Sequence, residues 1–200
     1  DLDRVSLGGP IFDLQKLQAF NGRYIRDLSS DALLERLKLW MMNDETILKL
    51  APLAQQRLNQ LADFVPMTAF VYADRLTYDP ELLLKGVEAP ERAPALLRIA
   101  QWEIERMPTW DADCIKDMFM RISEKEDLKF KKLLSMFFVA ISGSAVSLPL
   151  FDTMVVIGRD MSLRRVQYAI TALEQVDLKL SGKALKKLTK DYDYRYSRGN

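Results

Sequence analysis

Not one of the 200 residues is a histidine. That absence removes the commonest general base and the commonest metal ligand from the chemistry open to this chain. Cys114 is the single cysteine, so no internal disulfide can form and a structural zinc site lacks ligands. There is no excess of charge of either sign. Lys and Arg number 29 against 28 Asp and Glu, a formal net charge of +1. A nucleic-acid binder with this balance must segregate its cations onto one surface. No apolar run reaches the length of a membrane span, no signal peptide opens the chain, and no glycine-rich loop is built to cradle phosphate. A soluble cytoplasmic protein without a membrane partner is therefore expected. A self-contained enzyme is not: no nucleophile stands beside a base, so no catalytic residue, bound cofactor or metal site is assigned.

What the chain does have is a helical period. Leu33, Leu34, Leu37, Trp40 and Met41 form one stripe behind Ser29 and Ser30, either of which can cap the helix start. A second helix is expected over about residues 46–63, burying Leu48, Leu53, Leu58 and Leu61, with Pro66 breaking the pattern beyond it. The apolar run 69–72 is open between helix and extended chain. Tyr78-Asp79-Pro80 starts a helix or a turn, and 85–90 is the best candidate boundary. Further helices are expected over 90–106, with Leu96, Leu97, Ala100 and Ile104 inward, and after Trp110, with Ile115, Met118, Phe119 and Ile122 in register. The next spans 128–141 and closes at Ser142-Gly143-Ser144. Pro149 fits the first turn of another helix, Gly158 its end, and Leu163, Val166, Ile170 and Leu173 align in the last core helix. Residues 181–190 read as a short basic helix and 191–200, tyrosine-rich and polar, as mobile. With no strand series and no repeat, the fold class is all-α, in two helical subdomains.

Several stretches carry a resemblance. Residues 12–25 begin Phe12-Asp13, with Lys16-Leu17, Asn21 and Tyr24-Ile25 at set spacings. Gln55-Gln56-Arg57-Leu58-Asn59-Gln60-Leu61 is followed by the aromatic run 69–72 and Tyr78-Asp79. Residues 136–143 run into Gly143, and Leu150-Phe151-Asp152 leads to Ile157-Gly158-Arg159-Asp160 and Leu163-Arg164-Arg165-Val166. In order and approximate spacing this series resembles the part of bacterial glutamyl-tRNA synthetases that follows their catalytic half. The family's HIGH-like and KMSKS-like catalytic loops have no counterpart here. The resemblance implies an anticodon-binding region, with 1–25 ending the stem-contact domain, 26–79 and 80–173 forming two anticodon-binding subdomains, and 174–200 a basic extension. It implies tRNA(Glu) as partner, a catalytic domain in cis that uses ATP and magnesium, and a monomer. This chain alone should not charge tRNA. The alternative is a helical protein-interaction module without RNA binding.

The resemblance also implies site residues. Arg57, with Gln56 beside it, would read the third anticodon base. A guanidinium only donates, cytosine presents acceptors on its pairing edge and guanine presents donors, so arginine would reject an anticodon ending in G. The competing reading of Arg57 is an ordinary surface salt bridge. Phe138 stands where the family usually has arginine, and would either stack on a base or belong to the core. Ser147, Leu148 and Leu150 would lie near a bound anticodon. Arg159, Arg164 and Arg165 would touch phosphates or simply form a solvated helix face. Ala19 replaces a family tryptophan, for which Phe20 or Trp40 would compensate, while Lys16, Asn21 and Tyr24 would brace the junction between subdomains. The lysines and arginines of the extension would add RNA contacts or solubilise the chain end.

Overall fold

The computed structural model describes residues 13–41, 43–87 and 89–196, so the first twelve residues of the expected stem-contact segment lie outside the described residues. The chain divides into two compact units, residues 1–46 and 47–200. In the first unit, α1 (Leu14–Arg26) starts at Asp13, whose carboxylate accepts from the Gln15 and Lys16 amides at 3.0 and 3.1 Å. Helix α2 (Ser30–Trp40) starts at Ser29, whose hydroxyl accepts from the Ala32 amide at 3.2 Å. Both caps satisfy amides that have no partner inside the helix. Arg36 joins the two helices by donating to the Tyr24 hydroxyl at 2.9 Å. The stripe of α2 is real, but none of it is buried: Trp40 is 60% exposed, and Phe20 of α1 is 68% exposed. Neither aromatic fills a core position in place of the missing tryptophan.

Helix α3 (Asp44–Gln55) ends eight residues before the expected stop at Asp63. The cause is local. The Asp63 carboxylate accepts from the amides of Asn59 and Gln60 at 3.0 and 3.1 Å, giving them a partner that competes with the helical one. Leu48 and Leu61, expected inside, are exposed, and Leu50 and Ala54 are buried instead. A 3-10 turn at Leu61–Asp63 leads straight into α4 (Phe64–Tyr72). Pro66 does not break this helix. It sits in the first turn, where its missing amide would have had no helical partner.

The rest follows the expected order. Helix α5 (Pro80–Leu84) is capped by Asp79 and α7 (Ala112–Lys125) by Asp111, with α6 (Ala93–Arg106) between them. Then come α8 (Phe130–Ser142), α9 (Leu150–Ile157), α10 (Arg159–Glu174) and α11 (Gly182–Tyr196). The described residues contain no strand, so the architecture is all-α. One large core takes the inward faces of α6, α7, α8 and α10, including every position named above from the sequence except the half-buried Leu163. A second, smaller cluster joins Leu50 and Ala54 of α3 to Leu148, with Phe70 and Val71 of α4 packed against it. Gly158 has φ +82° and ψ 166°, a backbone region only glycine occupies at low cost, and it turns α9 directly into α10. The tail departs from expectation: α11 runs on to Tyr196 and buries Tyr192 to 1% exposure. No helix among the described residues is long and apolar enough to cross a membrane.

Candidate nucleic-acid interface

The turn after α3 presents Gln56 and Arg57, both exposed. The Arg57 amide closes the turn on the Ala54 carbonyl at 2.8 Å. Asp63 pins the other side, taking the Asn59 and Gln60 amides and the Gln60 side-chain amide at 3.2 Å. Those hydrogen bonds, from the Gln60 backbone first, hold the Asp63 carboxyl below the usual carboxylate range. The Arg57 guanidinium has only the Leu53 carbonyl at 3.5 Å, the outer limit of a hydrogen bond, and no carboxylate pairs with it among the described residues. It is a donor fork held on a fixed turn and left open to solvent. Asp63 was not foreseen as part of the site. Its signal was available, an acidic residue three positions after Gln60 at the start of a helical run.

The second element is the loop 143–149 between α8 and α9. Gly143, at φ +75°, ends α8 by donating its amide to the Val139 carbonyl at 2.7 Å. Ser142 and Ser144 then tie the loop to itself, the Ser142 hydroxyl donating to the Phe138 carbonyl at 2.7 Å and Ser144 Oγ accepting from the Val146 amide at 3.3 Å. Val146 is 85% exposed at the tip, a position the sequence reading passed over. Ser147 is half-buried, and its hydroxyl has no partner among the described residues. Leu148 is fully buried against Leu50 and Ala54. Ala54 lies three residues before Arg57 and Leu148 one residue after Ser147, so one cluster seats the roots of both exposed elements.

Three expected contact residues are corrected by this packing. Leu148 and Leu150, at 0% and 5% exposure, support the loop from beneath and do not face a ligand. Arg165 is not a surface cation. It is fully buried, and its guanidinium donates to the carbonyls of Ile141 at 2.6 Å, Ala73 at 3.0 Å and Phe70. Those carbonyls lie at the C-terminal ends of α8 and α4, where unpaired acceptors and the helix dipoles favour a cation. Burial pulls the Arg165 pKa down, opposed by Tyr78 and Asp74. The Tyr78 hydroxyl donates to the Ala140 carbonyl at 3.0 Å in the same place.

The remaining candidates are scattered. Arg164 is exposed and pairs with Asp74 at 2.8 Å. An exposed pair of this kind exchanges readily for another anion, being worth little in water. Arg159 is half-buried, its guanidinium 5.5 Å from the centre of the Trp110 ring. Phe138 is half-buried and packs on the large core. The structure therefore groups Gln56, Arg57 and Ser147 over one cluster and leaves Phe138 and Arg159 on the larger one.

An anticodon-binding domain family model matches residues 32–170. The glutamate–tRNA ligase of Saccharophagus degradans is 36% identical over 198 residues, which cover 98% of this chain and 38% of that protein. The glutamate–tRNA ligase of Cellvibrio japonicus is 37% identical over 174 residues, 86% of this chain and 34% of that one. The crystal structure of a glutamate tRNA ligase from Elizabethkingia meningosepticum, in complex with its amino acid, superimposes with a TM-score of 0.60 at 23% identity, over 86% of this chain and 35% of that chain. At that identity the likeness is one of fold. The chain spans little more than a third of the length of these curated relatives, 38% and 34%.

Proposed function

Because the chain belongs to the anticodon-binding domain family and matches the C-terminal part of glutamate–tRNA ligases, we propose that it reads the anticodon of tRNA(Glu) on behalf of a catalytic half in cis. In this reading residues 26–79 and 80–173 are the two anticodon-binding subdomains. The parent enzyme joins glutamate to its tRNA using ATP and magnesium, as a cytoplasmic monomer. In this reading ATP and magnesium belong to the catalytic half.

The observation that carries the reading is the unpaired Arg57 guanidinium on a turn pinned by Asp63 and seated on the cluster that also seats the 143–149 loop. Arg57 donates to the acceptors of a cytosine at the third anticodon position. Gln56 and the Ser147 hydroxyl supply groups that can both donate and accept. Arg164 exchanges Asp74 for a phosphate, which gives affinity and register but no sequence information. Binding free energy gained here is used to orient the acceptor end in the distant catalytic site. The exposed apolar stripe of α1 and α2 supports a further partner domain, because contiguous apolar surface of this kind marks an interface.

The same stripe favours the alternative, a protein-interaction module without RNA binding. A gel shift with glutamate tRNA at two salt concentrations separates the two. The proposal expects a complex that weakens as salt rises, and absence of any complex at low salt removes it.

A further inference from the structure

The C-terminal helix α11 has two faces of opposite character. Its inner face is fixed to α6 and α7. The Tyr192 hydroxyl donates to Glu103 at 2.7 Å, and its ring lies 4.8 Å from that of Trp102 and 4.7 Å from that of Tyr196. Tyr196 donates to Glu126 at 3.1 Å, and Arg195 pairs with the same carboxylate at 2.8 Å. Arg106 pairs with Asp193 at 3.3 Å, and Arg121 with Glu103. The carboxylates Glu103, Glu126 and Asp193 are thus all engaged on the inner side.

The outer side carries Lys183, Lys186, Lys187 and Lys190, all exposed, lining one shallow open depression. Their spacing of i, i+3, i+4, i+7 places them on one helix face. At 1.5 Å rise per residue the stripe is about 10 Å long. None of the four has an ion-pair partner among the described residues, including Asp191 one turn beyond Lys187. In a chain of net charge +1 this is a segregated patch of one sign.

We propose that this stripe is a second RNA contact surface, which binds the sugar-phosphate backbone of the tRNA outside the anticodon site. It rests on the reading of the chain as a tRNA binder. Four unpaired ammonium groups in a row complement a row of phosphates. Lysine is a point charge with no fork to match a base edge, so the contact is to the backbone and carries no sequence preference. A membrane surface is the poorer fit: an interfacial helix needs a free apolar face, and in α11 that face, with Leu188, Tyr192 and Tyr196, is packed on the protein. Helices α6 and α7, on which α11 docks, carry none of the base-reading residues.

The test uses the whole chain, with all four lysines changed to Gln in one variant and to Arg in another. Binding of glutamate tRNA and of its isolated anticodon stem-loop is measured over a salt series. Four lost phosphate contacts lower the slope of log affinity against log salt by about 3 to 4 for whole tRNA. The Arg variant keeps the slope, and the preference for C over G in the stem-loop is unchanged in both. An unchanged slope in the Gln variant, with that preference intact, overturns the lysine surface and leaves the proposed function standing. A lysine-dependent slope with no base preference in the wild type does the reverse. Loss of binding to phosphatidylserine vesicles, with tRNA binding unchanged, assigns the stripe to membranes and overturns the inference. No RNA binding by the wild type overturns both.

Discussion

Replacing Arg165 with Met removes a side chain that ties the C-terminal end of α4 to that of α8. The stem volume is largely kept, and three carbonyls, of Ile141, Phe70 and Ala73, lose the guanidinium as a donor, though Phe70 keeps the Ala73 amide at 3.3 Å. A hydrogen bond to a charged group contributes about 1.5–3 kcal/mol net, so three sum to roughly 5–9 kcal/mol. Against this stands the cost of keeping a guanidinium at 0% exposure, several kcal/mol, which the variant no longer bears. The expected net loss is about 3–5 kcal/mol, since each buried acceptor left without its donor costs about 1–3 kcal/mol. For a chain of this size that lowers Tm by roughly 6–20 °C. Arg165→Lys keeps the charge but cannot span three acceptors in different directions, and should fall between wild type and Arg165→Met. Urea unfolding gives the free energies. Hydrogen exchange at the last turns of α4 and α8 then locates the loss, because those turns should open first. A change in stability below about 1 kcal/mol, or exchange raised evenly over the chain, would refute the claim that this guanidinium joins the two helix ends.

Two further outcomes follow from the packing. Leu148→Ala removes the loop's anchor from the Leu50–Ala54 cluster, with an expected cost of about 2–5 kcal/mol in chemical denaturation. It should also weaken stem-loop binding, though Leu148 faces no solvent, and unchanged binding would show that the cluster does not position the loop. At high pH the docking of α11 should fail. Burial, with the neighbouring carboxylates Glu103 and Glu126, raises the Tyr192 and Tyr196 hydroxyls above the usual tyrosine value, and burial, opposed by Arg165, raises Tyr78. The folded state therefore holds these protons more tightly than the unfolded chain. Their stabilisation is complete below about pH 10 and is lost as pH rises above it. Tyrosinate absorbance should report late, cooperative ionisation that shifts earlier in Glu103→Gln, which removes the carboxylate that holds the Tyr192 proton. Independent titration of all tyrosines near pH 10 would contradict the docked helix.

Much of the fold was legible because its core helices are long and strictly periodic. Ile115, Met118, Phe119 and Ile122 are all buried, as their spacing requires. The errors cluster where local hydrogen bonds or tertiary contacts override the period. The stop of α3 at Gln55 depends on a carboxylate eight residues on, at Asp63. The exposure of Leu61 follows from that break, Leu48 lies on the face of α3 away from the buried Leu50 and Ala54, and the docking of α11 depends on Glu103 and Glu126, about 70–90 residues back. Arg165 could not be told from Arg164 by sequence, since adjacent residues on a helix point about 100° apart and only the packing says which is inside. Arg57 was legible only through its place in a motif, and its lack of a carboxylate partner needed the structure.

The central claim is that Arg57 reads a base, and the direct measurement is a cycle on the stem-loop. Wild type and Arg57→Ala are titrated with the glutamate anticodon stem-loop and with a variant whose third anticodon base is G. The account predicts that wild type prefers C by roughly 5- to 150-fold, about 1–3 kcal/mol, the usual worth of a good base-edge pair. The preference should vanish in Arg57→Ala, with the salt dependence little changed. Equal affinity of wild type for both loops, or a preference that survives in Arg57→Ala, would contradict it.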